Sequence, residues 1–341
     1  MARLISQHDY HRFGTSDAQH QFDAVETTIS HLLRYPHPAL EGRSYGEALA
    51  DRLLEERPGA PRRVVEIGGG TGAMAEAVWG RLCQRHPEQR ERLRYTIVDL
   101  APRLQAAQVL RLDGAAGLTF ASGDATHMPL RDGALDGWLI CNEVIADLEV
   151  VDFARAPSSE DDALDLVCRE LVDRYQLQLH GEGTQEVLGL GAVRMIEEVA
   201  RVLAPGAVAF ISEFGGTEPA RGVELTDAEG EFGHTEFSIR FDHLQRVAEA
   251  LGLRARWAPV LELLGMRPDL RVANFNDVSQ ARVLVPRLEV FAYPADEFLG
   301  KVGNLAVCFK FSLPRIGDAG FPDDNTRPFA TTFQGLLLHR P

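Results

Sequence analysis

The segment Val64-Val65-Glu66-Ile67-Gly68-Gly69-Gly70-Thr71-Gly72 constrains this chain more than any other. It reads as an apolar strand ending in a glycine-rich turn, with a helical stretch, Ala73 to Leu82, behind it. Glycines allow the left-handed backbone of such a turn and let bare main chain come close to a nucleotide-like ligand. A dinucleotide fingerprint spaces its glycines Gly-x-Gly-x-x-Gly and sets pyrophosphate on the helix N-terminus. Here the spacing is Glu-x-Gly-x-Gly-x-Gly, with an acid inside the motif.

Three further strands follow. Arg94 to Leu100 ends in Asp99, whose carboxylate can accept two hydrogen bonds from ribose hydroxyls. Leu118 to Ala125 carries Asp124 at its exit, where Asp also favours a turn. Gly137 to Cys141 runs into Asn142-Glu143. In an open parallel sheet, ligands bind beyond the C-terminal strand ends, so these strands deliver Gly70, Asp99, Asp124 and Asn142-Glu143 to one rim.

The glycine motif with these strand-end acids resembles class I S-adenosylmethionine (SAM) methyltransferases. The resemblance implies an α/β, Rossmann-like, seven-stranded sheet and SAM as cofactor. It implies cofactor contacts from Glu66, Gly68, Gly70, Gly72, Asp99, Leu100, Asp124, Ala125 and Asn142. Asp124 would accept from the adenine amino group, with the backbone N–H after it facing the ring.

Along the chain, residues 1–60 read as a helical arm or cap before a methyltransferase domain over 61–341. His20 to Leu33 has helical apolar spacing, and Ser44 caps a second helix, Tyr45 to Glu55. The arm either covers the cofactor and acceptor or packs on the sheet edge. Residues 101–117 supply the next helix, opened by Pro102. Residues 154–190 exceed the usual connection of about 2–6 residues. They read as an insertion after strand four, polar and helical over Asp161 to Leu179, forming a lid or a dimer contact. Leu190 to Leu203 is an amphipathic helix, and Ala207 to Glu213 the apolar run of a buried parallel strand. Phe214 to Thr235 reads as a loop, Phe241 to Leu251 as a helix and Leu253 to Pro259 as a strand. In the tail, Arg282 to Val285 and Val302 to Phe311 are β-like runs.

Fifty acidic against 35 basic residues give a net charge of −15. That balance opposes nucleic acid as main partner, because phosphate binding needs a basic surface. It suits a cationic acceptor and, more simply, solubility. Cys83, Cys141, Cys168 and Cys308 form no CxxC pair and read as reduced thiols of a cytoplasmic protein. No basic-then-apolar pattern opens the sequence, so no secretory signal is expected, and no apolar run approaches the ~20 residues of a membrane span.

A narrower resemblance rests on Glu66 to Gly72, on Tyr95-Thr96-Ile97-Val98-Asp99-Leu100-Ala101-Pro102-Arg103-Leu104 with Gln108, on Cys141 to Val150, on Glu213-Phe214-Gly215 and on Glu236 to His243. These segments are similar to the MidA family, which includes the mitochondrial complex I assembly arginine methyltransferase. Ala146 and Glu149 depart from the family's Asp and Pro, and the first 60 residues differ from its usual start. The resemblance implies N-methylation of a guanidino group, on free L-arginine or a small arginine metabolite as in natural-product pathways, or on a protein arginine. The alternatives are another small-metabolite O- or N-methyltransferase, or a SAM-fold assembly factor with little catalysis. A homodimer is compatible with each.

A guanidinium is a planar fork of five donors that stays protonated, so an enzyme must hold it with carboxylates. Glu143 leads as the acceptor-binding acid, with Glu213 and Asp147 in support and Glu149 behind them. His127, His180, His234 and His243 could serve as bases, yet none stands in a distinguishing pattern. Asn142 and Asp124 lack a further carboxylate at metal-ligand spacing, so no metal is expected.

Overall fold

A computed structural model describes residues 2–13, 28–113, 115–156, 162–179, 185–226, 233–304, 309–318 and 333–341. With strands numbered in chain order, the central sheet holds β2 (Arg63–Ile67), β3 (Arg94–Asp99), β4 (Leu118–Ser122), β5 (Trp138–Asn142), β8 (Val208–Gly216), β12 (Arg254–Pro259) and β13 (Phe333–His339). Their order is β12-β13-β8-β5-β2-β3-β4, and the two-residue β11 (Ile239–Arg240) adds to β8. β4, β3, β2, β5 and β8 are parallel, while β13 runs antiparallel between β8 and β12. This is the α/β arrangement the glycine motif implies, with the parallel strands delivering their C-termini to one rim.

Period-2 alternation divides the core between two faces of the sheet. Val65, Ile67, Leu139, Cys141 and Ile211 pack on one face against the helices Leu190–Val202 and Phe241–Ala250. Val64, Ile97, Trp138, Ile140 and Phe210 pack on the other, against the helices Tyr45–Glu56 and Ala73–Arg85. Every residue of β5 is buried, as a central parallel strand covered on both faces requires. Gly137 opens it where no side chain fits: a Cβ there would stand 1.8 Å from the Arg63 carbonyl oxygen.

The helix Tyr45–Glu56 starts at a full capping box. The Ser44 side chain accepts from the Glu47 N–H, and Glu47 accepts from the Ser44 N–H. Ahead of that helix, the arm's described structure comprises β1 (Arg3–Ile5), a helix His8–Phe13, a short helix Ile29–Leu32 and a 3-10 turn Pro38–Leu40; the His20 to Thr27 part of the expected helix lies outside the described residues.

Three segments differ from their sequence expectation. The insertion is partly extended: β6 (Val150–Ala154) pairs with β1 and with β7 (Gln185–Leu188) in a small antiparallel sheet. Its helix, Ala163–Tyr175, sends Cys168 and Leu171 into the same core as Leu139. The expected loop after strand five holds a hairpin, β9 (Gly222–Thr226) and β10 (Gly233–Phe237). In the tail, Arg282 ends a helix, Phe275–Arg282, and Val302 ends another, Ala295–Val302. The apolar run after Arg282 is surface, with Val283 73% and Leu284 48% exposed. Residues 305–308 of the expected run Val302 to Phe311 lie outside the described residues; among those described, the tail's contribution to the central sheet is Phe333–His339. Among the described residues, no helix is long and apolar enough to cross a membrane.

Candidate active site

The glycine turn joins β2 to the helix Ala73–Arg85. Gly68, Gly70 and Gly72 have φ of +69°, +50° and +84°, which side-chain-bearing residues rarely adopt. A Cβ on Gly68 would stand 2.4 Å from a Val144 methyl carbon, so the turn closely approaches the residues after β5. Gln108 ties the turn to the next strand. Its amide donates to the Gly70 carbonyl at 2.9 Å and to Asp99 Oδ2 at 2.7 Å. Asp99 Oδ1 accepts from the Ala101 N–H at 2.9 Å. Burial pushes the Asp99 carboxyl up; the Ala101 N–H, the Gln108 amide and the Gly69 N–H pull it down.

Glu66 lies fully buried behind this turn, where it accepts from the Tyr95 hydroxyl. Burial raises its pKa to about 7, against the Tyr95 hydrogen bond, and the charge of Asp99 adds to the rise. Its other oxygen, Oε1, has no partner among the described residues. Asp124 stands at the exit of β4 and folds a turn, accepting from the Thr126 N–H and hydroxyl, both at 2.7 Å. Its second oxygen faces His8 Nε2 at 4.0 Å. Ala125 is buried beside it, and Leu100 is half-buried after Asp99.

Asn142 ends β5 as a buried hub. Its Oδ1 accepts from the Tyr45 hydroxyl at 2.8 Å and the Ser212 hydroxyl at 2.7 Å. Its amide donates to Ser30 Oγ and to Glu143 Oε1. Glu143 follows in the left-handed region, at φ +54°. Its carboxylate accepts from the Ile29 and Ser30 N–H groups at 2.9 and 3.2 Å, and so binds the start of the helix Ile29–Leu32. That helix lies in the arm, so the acid at the rim and the arm over it are one hydrogen-bonded unit.

Glu213 is buried near the end of β8 and accepts from the Ala146 and Phe214 N–H groups. Burial raises its carboxyl well above the ordinary range, and the charges of Glu236, Glu143 and Asp147 raise it further. Asp147 ends a 3-10 turn, Ile145–Asp147, and meets His11 Nε2 at 3.2 Å and His234 Nε2 at 3.0 Å. These two imidazoles hold its carboxyl low against the opposing effect of burial. Glu149 points elsewhere, into an ion pair with Arg194 at 3.1 Å.

The rim therefore gathers Glu143, Asp147 and Glu213 beside the cofactor-side residues and leaves Glu149 aside. Sequence reasoning gave no role to Tyr45, Ser212, Ser30 or His11, which reach the rim from distant segments. It gave Gln108 only a place in a motif. The helix register of Gln108, one turn past Leu104 and facing the strand end, was the available signal.

The bare glycine turn, the strand-end acids and the unpartnered Glu66 Oε1 fit a SAM molecule. A family model described as "Putative S-adenosyl-L-methionine-dependent methyltransferase" matches residues 47–159, which span the turn, Asp99, Asp124, Asn142 and Glu143. No curated protein sequence matches the chain. Among solved structures, an uncharacterized superfamily protein from Burkholderia thailandensis is 15% identical over 96% of this chain and 87% of its own, with a TM-score of 0.53. A member of the same superfamily from that organism, bound to S-adenosyl-homocysteine, is 15% identical over 95% and 81%, also with a TM-score of 0.53. At such identity the likeness is one of fold. The matched segment and the fold make this chain a SAM-dependent methyltransferase of class I architecture.

Proposed function

We propose that the methyl acceptor is the guanidino group of arginine, free or in a small metabolite. The carrying observation is the group of carboxylates at the ends of β5 and β8. Glu143, Asp147 and Glu236 all act electrostatically on the buried Glu213 and press it towards its neutral form. Such a group is stabilised by a cation placed among its members, and a guanidinium is a cation whose donors match carboxylate geometry.

SAM, when bound, supplies an electrophilic methyl group. The chain's own residues have four tasks. The glycine turn, Asp99 and Asp124 hold the cofactor. Glu143 orients the guanidinium fork so that one nitrogen faces the methyl group. Glu213, relieved of its proton as the cation enters, takes the N–H proton released when that nitrogen is methylated. The arm excludes water over the rim, since Glu143 binds the first turn of its helix.

Incubating the protein with labelled SAM and a panel of amino acids tests the reading. Label should pass to arginine compounds. Glu143→Gln puts donors where the guanidinium presents donors. It should lower turnover roughly 100-fold, about 2.7 kcal/mol, while SAM affinity stays within about twofold. Full turnover by Glu143→Gln on arginine removes Glu143 from acceptor binding. If wild type methylates no arginine compound, the acceptor is another small nucleophile.

A further inference from the structure

His11, Asp147 and His234 come from three separate parts of the chain: the arm helix His8–Phe13, the 3-10 turn after β5, and β10. Their ligand atoms meet at one point. His11 Nε2 and His234 Nε2 lie 3.2 and 3.0 Å from the same carboxylate oxygen, Asp147 Oδ1, and the three atoms all lie within 4.8 Å of one another. Metal–ligand bonds of about 2.0–2.1 Å place neighbouring ligand atoms about 3.0 Å apart at right angles and about 3.4 Å apart at tetrahedral angles. Two edges of the triangle already have those lengths. The third edge, between the two imidazoles, is at most 4.8 Å, and His11 rides on the arm.

The surroundings match a ligand set. The His234 side chain is fully buried and its ring stacks on Tyr10, with centroids 4.4 Å apart. Glu236 Oε1 stands 3.4 Å from His234 Nε2 at the edge of the cluster. Two imidazoles and one carboxylate are donors that suit zinc and its divalent neighbours rather than calcium or magnesium.

We propose that His11, Asp147 and His234 bind one divalent transition-metal ion, of the zinc class, which clasps the arm helix to the rim of the sheet. The site goes beyond the acceptor reading: it gives Asp147 to the metal, so that with the metal bound the charges left to act on Glu213 are those of Glu143 and Glu236, and Glu143 and Glu213 remain for the acceptor. Two of the ligands come from segments far along the chain from the turn after β5, so the metal would fasten the arm where its helix crosses the cofactor rim.

The full-length protein, stripped with a chelator and dialysed, should bind zinc or cobalt at one equivalent by calorimetry. Cobalt should give the visible absorption of a low-coordinate nitrogen–oxygen site. His234→Ala and, separately, His11→Gln should each weaken metal binding about 100-fold or more, since each removes one of three ligands. His11→Gln alters only the arm, so it answers the question should His234→Ala misfold. Unchanged circular dichroism and SAM affinity certify the fold. Metal should also slow proteolysis within residues 1–13 of wild type but not of His11→Gln. The proposal is overturned if wild type takes up no metal. It is equally overturned if uptake is the same in wild type and His11→Gln, which would place the ion on other histidines. A bell-shaped rate profile lost in His11→Gln without any metal dependence would make the cluster a proton relay instead.

Discussion

Gln108 satisfies two strand-end groups with a single amide: the Gly70 carbonyl and Asp99 Oδ2. Replacing it by Leu keeps the bulk and removes both bonds, leaving a buried carboxylate oxygen without its donor. Gln108→Leu should weaken SAM binding by about 1–3 kcal/mol, the cost of an unsatisfied buried polar group, with a comparable loss of stability. Calorimetry showing wild-type SAM affinity in a folded Gln108→Leu protein would separate the turn's shape from Asp99. Glu66 is the opposite case, a buried acid whose ionisation the fold resists. Its pKa rises from 4.5 to about 7, so the folded state favours the proton. Its ionisation costs nothing below the unfolded pKa; the cost grows from about pH 4.5 to 7 and stays constant above. Glu66→Gln, which cannot ionise, should therefore be more stable than wild type by on the order of 1–3 kcal/mol at pH 8, and no more stable at pH 4.5. Denaturation curves at the two pH values measure the difference, and an equal gain at both would show that charge is not its source. Asp99 was legible from the sequence because a strand-end acid after a glycine turn has a local pattern. The binding of Glu143 to the Ile29 and Ser30 N–H groups was not, since those partners lie more than a hundred residues away and carry no pattern with it.

The parallel strands were legible because full burial demands near-continuous apolar runs, as Trp138 to Cys141 and Val208 to Phe214 show. Ser44 announced its helix, and the capping box with Glu47 is present. Strand β13 went unread because Gln334 and Gly335 interrupt its run, and its place between β8 and β12 is set by long-range pairing. The β-like run at Arg282 misled because β-branched residues also occur where a helix ends at the surface. The leading segment likewise depends on distant partners. His37 accepts from the Ala39 N–H through Nδ1, and its Nε2 is 2.5 Å from the Ala292 carbonyl, so it is the neutral Nε2–H tautomer that fits both. Leu32 accepts from the Ala292 N–H close by. Burial lowers the His37 pKa below 6.5. Protonation would turn Nδ1 into a donor facing a donor, so the stabilising neutral form is present above pH 6.5 and is lost as pH falls through the folded pKa. The stability advantage of wild type over His37→Gln should shrink as pH falls below 6.5. A difference independent of pH between 7.5 and 5 would mean that packing, not the tautomer, holds this junction.

Over the whole molecule, a net charge of −15 is the average of a more pointed distribution. Half-buried acids such as Glu198 and Asp51 are answered by Arg201 and Arg81, whereas Glu213 sits buried under the negative charges of Glu236, Glu143 and Asp147. Burial and these charges raise its carboxyl well above the ordinary range, so the fold favours its protonated form. A cationic acceptor reverses the balance. Its positive charge favours the Glu213 carboxylate, so binding must expel a proton from Glu213 while the free protein still holds it. Affinity for arginine should therefore rise with pH, by up to about tenfold per unit for one proton released, and level off above the raised pKa of Glu213 in the free protein. A neutral acceptor gains nothing from ionising Glu213 and gives the flat or falling profile. Calorimetric titration of arginine into the protein with S-adenosyl-homocysteine, repeated in buffers of different ionisation enthalpy, counts the proton directly. Glu213→Gln has no proton to release and should give a flat profile with weaker binding. A proton count near zero in wild type at every pH tested, or the same count in Glu213→Gln, would take Glu213 out of cation recognition and with it the charge argument for a guanidino acceptor.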